Sequence, residues 1–395
     1  MISVSEARAL MLDAAQPVAT ERVSLRAARG RTLREDIVAT RAQPPFRASA
    51  MDGYALRAAD TPGVLRMIGE TSAGRALDRT LGLGECARIF TGAPLPEGAD
   101  SVLIQEDAIR AGDSVTSPAI RAGRHVRAAG VDFEIGDSLL RSGRVLDAAA
   151  IALAATAGRA SLQVARAPKV AVLSGGNEIV PPGTSPAPDQ IFDSMSYGVA
   201  ALAETWGAGA STGFPFKDDA QTIAATVAQS IETHDLTIIV GGASVGDHDH
   251  ARPALRALGG EFLFEKIALR PGKPTWFARV GERLILGLPG NPASALVCAR
   301  LFLRPLLDKL CGRDPAAAMR TIGARARTPL AENGARETYL RAHVESDANG
   351  QLWARAPHNQ DSSLISVFAG ANALIVRAPD APETAESALI DVLYL

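Results

Sequence analysis

Three glycine-bearing turns, each directly behind a short apolar run, hold the residues best suited to chemistry. They are Ser174-Gly175-Gly176-Asn177-Glu178 after VAVL, Gly241-Gly242-Ala243-Ser244-Val245-Gly246-Asp247 after TIIV, and Leu288-Pro289-Gly290-Asn291-Pro292 after LILG. Glycine lets backbone amides approach an anion closely, and a helix that follows such a turn adds its positive end. One such turn serves equally well merely to end a strand. Three in one stretch point to an anion site centred on residues 241–246, holding a phosphorylated small molecule, although no GxxxxGK[ST] loop occurs. Fixed positive charge follows in Arg270-Pro271-Gly272-Lys273-Pro274, where two prolines and a glycine stiffen a loop suited to aiming a guanidinium fork and an ammonium at oxyanions.

Carboxylates gather near the same turns: Glu178, Asp193, Asp218, Asp219, Asp247 and Asp249. Asp and Glu, with water and phosphate oxygens, form the usual Mg²⁺ site at a nucleotide-type substrate. Asp193 and Asp219 read best as helix caps. His248-Asp249-His250 invites a zinc reading, but no cysteine or third histidine stands at ligand spacing, so surface histidines are expected. Pro253 sets the next helix start at about Ala251 and leaves Asp249 in the loop. Farther upstream, residues 44–56 combine two prolines, an arginine, Asp52 and Gly53 before a hydrophobic strand, more than a simple turn requires.

The elements that must position these groups follow from hydrophobic periodicity. Ser3 and Glu6 form a capping box ahead of Val4, Ala7, Leu10 and Met11 at helical spacing. From about residue 41 to 143, short apolar pieces alternate with glycine and proline turns, the pattern of a β-rich module. Residues 147–162 read as a helix leading to a turn. From Lys169 onward KVAVLSGG, STGFPF, LTIIVGG, FLFEKIAL and RLILGLPG alternate with helical segments at 194–206 and 218–232, which implies a parallel sheet covered on both faces. Ligands of such sheets bind beyond the carboxyl ends of the strands. Asn291 can cap a helix that opens with Pro292. Beyond Gly312, the strands TYLRAHV, LWARAP, NALIVRA and SALIDVLYL suggest a small barrel. The expected fold is therefore multidomain α/β: an N-terminal region over residues 1–168 with an inserted β-rich module at about 41–143, a central α/β domain at 169–312, and a C-terminal β barrel at 321–395.

Composition bounds the function classes. A chain of 395 residues exceeds the usual reach of one core. A net charge of -2, from 41 basic and 43 acidic residues, provides no broad field for a nucleic-acid backbone, so any anion site must be local. Cys86, Cys298 and Cys311 are odd in number and without a CxxC pair, arguing against a disulfide framework or a thiolate zinc site. No run approaches the ~18 apolar residues of a membrane span, and the N-terminus lacks a signal-peptide pattern, so no membrane association and a cytoplasmic location are expected.

The segments PPFRASAMDGYAL, IFTGAPLPEGAD, VLIQED, GGASVGDHDH, LRPGKP and LGLPGNPASA together closely resemble the molybdopterin molybdenumtransferases, the family of MoeA and the gephyrin E domain. The resemblance runs from the N-terminus to the final barrel. It implies Mg²⁺-dependent insertion of molybdate into adenylylated molybdopterin, with release of AMP, by a homodimer whose cleft joins the α/β domain of one subunit to N-terminal segments of the other. It further implies dealings with a molybdopterin adenylyltransferase and with acceptor molybdoenzymes. Residue by residue, Asp52 and Thr91 match functional positions of the N-terminal module. Glu178, Asp218 and Asp249 match acids that hold Mg²⁺ and position the phosphoanhydride. Gly241, Gly242, Ser244 and Gly246 form the substrate loop, Arg270 and Lys273 bind molybdate or phosphate oxygens, Pro289 and Pro292 shape the adjoining turn, and Ser362 with Ser363 lies where a barrel loop approaches the cleft. The chain differs from the family pattern at the first turn, where Thr-Gly-Asp-Glu becomes Gly175-Gly176-Asn177-Glu178, and at Met195 and His250 in place of asparagine and tyrosine. Two other readings fit these differences: a relative that hydrolyses or adenylylates a pterin or nucleotide, and a non-catalytic or specialised paralogue that only binds molybdopterin.

Overall fold

The computed structural model describes residues 1–213, 215–241 and 250–395. Its centre is a six-stranded sheet in the order Gly209–Thr212, Lys169–Ser174, Leu236–Val240, Arg283–Leu288, Trp276–Val280, Glu261–Phe264. Side chains of successive residues point to opposite faces of a strand. Val170 and Val172 accordingly join one buried cluster, and Ala171 and Leu173 join another. Helices Ala220–Thr233 and Ala251–Ala257 cover the second face. The first face is covered by Met195–Thr205 and by the run Pro292–Cys298, Ala299–Leu303 and Arg304–Leu310, whose middle turn is a π-helix. The N-terminal helix Val4–Ala14 also packs there through Val4, Ala7 and Met11, and its Ser3 and Glu6 make the expected capping box.

The sheet departs from an all-parallel one in a single strand. Trp276–Val280 pairs antiparallel with both neighbours, because the turn Gly281-Glu282 returns the chain directly into Arg283–Leu288. Gly281 has φ +57°, as a two-residue hairpin turn requires. Within this hairpin Trp276 faces Gly287, and a Cβ on Gly287 would lie 1.9 Å from the indole Cε2. The glycine thus makes room for a fully buried tryptophan.

The stretch read as one helix at 147–162 divides. Asp147 accepts from the Ala150 N–H at 2.7 Å and caps Ala148–Thr156, after which Ser161–Ala165 turns into a strand paired with Thr20–Ser24. Strands Ile37–Val38 and Ser138–Leu140 pair beside it. Between them lies a second six-stranded sheet, in the order Ser101–Ile104, Gly53–Leu56, Glu85–Ile89, Gly63–Thr71, Ser114–Ser117, Ile109–Ala111. The C-terminal strands Glu337–Ser346, Leu352–Arg355, Ile322–Ala326, Leu389–Tyr394 and Ala373–Arg377 close on themselves into a barrel, with Ala373–Arg377 pairing back to Glu337–Ser346. One further short strand, Leu269–Arg270, leaves the central domain and pairs parallel with Glu337 and Thr338 of the barrel. Among the described residues no helix is long and apolar enough to cross a membrane.

The Trp276–Gly287 contact yields a stability prediction. Overpacking a filled core typically costs about 1–3 kcal/mol, and the gap here is far below any ordinary contact. Gly287→Ala should lower the unfolding free energy by at least the upper end of that range in urea titration, and an unchanged midpoint would refute the steric reading.

Candidate active site

The three glycine-bearing turns meet at the carboxyl edge of the parallel strands, backbone against backbone. The Gly175 N–H donates to Val240 O at 3.1 Å, and the Gly241 N–H donates to Leu288 O at 3.3 Å. Gly241 has φ +87°, and a Cβ there would stand 2.6 Å from the Gly175 carbonyl oxygen. A Cβ on Gly290 would in turn meet the Gly241 Cα at 3.5 Å. A side chain is excluded at Gly241, while the Gly290 spacing is an ordinary contact. Gly242, Ser244, Gly246 and Asp249, expected in the substrate loop and among the metal ligands, lie outside the described residues.

Glu178 is exposed just beyond the first turn, and its carboxylate folds back over Gly176, where Oε2 would lie 2.7 Å from an added Cβ. Asp218 is half-buried, and its backbone N–H donates to Asn177 Oδ1 at 3.3 Å. The two acids expected to be caps are caps in geometry. Asp219 accepts from Thr222 Oγ1 and from Thr222 N–H, each at 2.7 Å, at the head of Ala220–Thr233, and these bonds, the hydroxyl bond first, hold its carboxyl below the usual range. Asp193 accepts from Ser196 N–H at 3.1 Å. Among the described residues no three His, Cys, Asp or Glu side chains group as a metal cage.

Between the central domain and the barrel opens a cleft of about 1050 Å³. Arg270, Lys273 and Pro289 line it from the central side, and Ser362, Arg341 and Arg336 from the barrel side. Gly272 sits at φ +122° in the cationic loop, beneath which Thr275 Oγ1 donates to its carbonyl at 2.8 Å. Asn291 stands at the N-cap of Pro292–Cys298 but makes no side-chain cap bond. Its Nδ2 instead donates across the cleft to Ser362 Oγ at 2.9 Å, while the Ala293 N–H, one of the helix's unpaired first-turn donors, is satisfied by Ser362 O at 3.0 Å. Ser362 therefore joins Arg270, Lys273 and Pro289 in one site, with Pro292 opening the helix beside it.

Arg341 was not singled out by sequence reasoning. It sits inside an ordinary β-strand pattern, and only its arginine identity at an inward position could have marked it. It is 1% exposed; its Nε donates to Gln360 Oε1 at 3.0 Å and its Nη1 to Asp361 O at 2.9 Å. No carboxylate among the described residues forms an ion pair with it. Its hydrogen bonds go to neutral acceptors; burial pushes its pKa down, and the nearby Asp361 carboxylate opposes that shift.

Asp52 and Thr91 form a second locus on the N-terminal sheet. Asp52 Oδ1 accepts from Thr91 N–H at 2.7 Å and Thr91 Oγ1 at 2.8 Å. Arg88 donates to the Gly53 carbonyl at 3.0 Å and stacks over Tyr54 and Phe90. None of the residues lining the cleft comes from this region, so within one chain the structure does not bring Asp52 and Thr91 to Arg270 and Lys273.

The backbone bond from Thr91, then its hydroxyl bond, holds the Asp52 carboxyl below its usual pKa. A depressed carboxyl pKa means that the pair persists above the ordinary carboxylate range and is lost as pH falls through the lowered value. Thr91→Val, which removes the hydroxyl bond only, should raise the Asp52 pKa part of the way toward the usual value when titrated by carboxyl-carbon NMR; no rise would show that the hydroxyl contributes nothing.

Sequence models of protein families match the chain in three blocks: the MoeA N-terminal region (domains I and II) over residues 2–158, a probable molybdopterin binding domain over 171–309, and the MoeA C-terminal region (domain IV) over 323–395. A molybdopterin molybdenumtransferase of Nostoc sp. is 34% identical over 90% of this chain and 84% of its own length. One from Staphylococcus aureus is 33% identical over 79% of this chain and 76% of its own length. A solved molybdopterin biosynthesis MoeA protein from Pyrococcus horikoshii superposes with a TM-score of 0.85 at 25% identity, covering 100% of both chains. Three blocks in the same order and a full-length superposition agree: the chain belongs to the MoeA family of molybdopterin molybdenumtransferases.

Proposed function

We propose that this chain is a transferase that inserts molybdenum from molybdate into molybdopterin in molybdenum cofactor biosynthesis, acting on the adenylylated form of the pterin and releasing AMP. The observation that carries the reading is the cleft in which buried Arg341, in no direct ion pair among the described residues, faces the same space as Arg270 and Lys273. Molybdate is a compact oxyanion. An arginine fork fixed by Gln360 and Asp361 offers it directional donors, and Lys273 adds a point charge. The main-chain edge at Gly175, Gly241 and Gly290 suits the phosphate end of the pterin, which approaches glycine more closely than any side-chain-bearing residue allows. Protein thiols are poor rivals for the metal: burial raises the Cys86 pKa to about 11 and that of Cys298 to about 12. The pterin's own sulfurs are the acceptors in this reading.

The resident cation of the proposal is Mg²⁺. Glu178, cradled over a Gly176 that a side chain would block, and Asp218 supply hard oxygen donors on adjacent turns, as suits an ion that keeps several waters and takes phosphate oxygens. Glu178 and Asp218, with Asp249, would hold it, and it would supply charge compensation at the phosphoanhydride. The chain's own groups then orient the reactants: the cations hold molybdate and the glycine turns seat the phosphate. Asp52 and Thr91 line no part of the cleft of their own chain, which supports a homodimer in which they complete the cleft of the second copy. The three buried free cysteines suit a reducing cytoplasm. We assign the N-terminal region to residues 1–168, with its β-rich insertion at about 41–143, the pterin-binding domain to 169–312 and the barrel to 321–395; an adenylyltransferase upstream and acceptor molybdoenzymes downstream are the protein partners.

Purified chain supplied with adenylylated molybdopterin, Mg²⁺ and molybdate should release AMP and yield metallated cofactor. Tight pterin binding without AMP release would replace this reading with that of a non-catalytic binding protein. A hydrogen bond to a charged group is worth about 1.5–3 kcal/mol, so Arg341→Met should raise the half-saturating molybdate concentration roughly tenfold or more while leaving pterin affinity nearly unchanged. An unaltered molybdate dependence would remove Arg341 from the oxyanion site.

A further inference from the structure

The loop that carries Asp218 is tied to the first turn of the sheet at several points. Gly175 and Phe216 form an isolated parallel bridge. The Phe216 N–H donates to Ser174 O at 3.1 Å, and the Gly176 N–H donates to Phe216 O at 3.2 Å. One residue beyond Lys217, the Asp218 N–H reaches Asn177 Oδ1 at 3.3 Å. These bonds tie the first turn to the Asp218 loop.

Their spacing is set by an aromatic ring. A Cβ on Gly175 would stand 2.2 Å from Phe216 Cε2 and 2.5 Å from Cζ, so the ring lies flush against the glycine backbone. Gly175 is not among the residues with positive φ, unlike Gly176 and Gly241. Its backbone would accept any residue, and the ring alone demands glycine here. Nor can the ring easily withdraw. Phe216 is 6% exposed and sits in the buried cluster with Leu173, Ile223 and Val227, under helix Ala220–Thr233.

We propose that Phe216 is a positioning residue for Asp218, and that Gly175 and Phe216 are a size pair: the ring seated on Gly175 sets the height of the loop, and Asn177 holds the Asp218 amide at that height. The proposal rests on the reading of Asp218 as a Mg²⁺ and phosphate-site residue. A side chain at residue 175 would lift the ring and carry Asp218, two residues on, away from the glycine turns. The role of Asn177 here needs only an amide or carboxylate oxygen as acceptor, so an uncharged residue fills it without adding to the negative charge around Glu178 and Asp218.

The test is a double-mutant cycle of Gly175→Ala and Phe216→Val, read first by amide hydrogen exchange, which involves no substrate, and then by calorimetric titration of AMP with and without Mg²⁺. Gly175→Ala should speed exchange of the Gly176, Phe216 and Asp218 amides at least tenfold. It should weaken AMP binding in the presence of Mg²⁺ at least fivefold, with a much smaller effect without Mg²⁺; a merely structural defect would weaken both alike. Adding Phe216→Val should restore most of both losses, because the clashing ring is gone. Should Gly175→Ala alone fail to fold, recovery of a folded chain on adding Phe216→Val is the same rescue. Wild-type exchange rates in Gly175→Ala, or additive losses in the double variant, would overturn the proposal. A wild-type chain that binds no AMP in Mg²⁺ would instead overturn the role given to Asp218, with the exchange cycle still deciding whether Gly175 and Phe216 are a size pair.

Discussion

The site depends on a steric constraint at the carboxyl edge of the central sheet: the second turn approaches the first so closely that only main chain fits between them, with the third turn in contact beside it. Gly241 packs on the Gly175 carbonyl and Gly290 packs on Gly241. Backbone N–H groups are obligatory donors, and here some are spent on sewing the turns together, Gly175 to Val240 and Gly241 to Leu288. These bonds tie the three turns together along one edge of the sheet. The same closeness at Gly175 brings in Phe216, so the placement of an acidic loop becomes part of the packing of the first turn.

A second coupling joins this edge to the barrel. Leu269–Arg270 runs as a strand of the barrel's sheet although it belongs to the chain of the central domain, so Arg270 is aimed by Glu337 and Thr338 as much as by its own loop. At the other side of the cleft, Ser362 takes over the capping of Pro292–Cys298 and accepts from Asn291. The N-terminus contributes a third tie, since the Ala268 N–H donates to Ile2 O at 2.8 Å directly ahead of Leu269. The cleft is therefore held from three parts of the chain, which explains why a residue such as Asn291 forgoes the local cap that its type and position suggest.

Much of this was legible in the sequence, and what was not has physical reasons. The alternation of apolar runs and amphipathic segments identified the α/β sheet because every strand end carries a visible turn signal, and the capping box at Ser3 and Glu6 appears as expected. The reversed strand Trp276–Val280 was hidden because TWFARV lies close behind the preceding cationic loop, and its direction depends on a two-residue turn at Gly281-Glu282 that carries no hairpin composition as strong as Asn-Gly. Arg270, Lys273 and Ser362 were found by motif, and the structure assembles them around one cleft. Arg341 escaped because burial of a cation is decided by tertiary partners, here Gln360 and Asp361, and no local pattern encodes it. Phe216 escaped for a similar reason: its importance lies in the volume it denies to residue 175.

The chain as a whole is almost neutral, at -2, yet the cleft is lined by Arg270, Lys273, Arg336, Arg341, Arg355 and Arg377 against only Glu332 and Asp361. Charge concentrated this way attracts a small anion over distances of order one Debye length, about 8 Å at physiological ionic strength, without making the whole surface adhesive to polyanions. Arg377 shows that the concentration is not all offered to ligand, because its guanidinium is occupied by the Ala331 carbonyl and by the Pro382 carbonyl and Thr384 hydroxyl. Arg341 is held by fewer such acceptors, by no carboxylate among the described residues, and at the cleft wall. Arg341 and Arg377 are thus fixed in the cleft wall by hydrogen bonds to neighbouring loops.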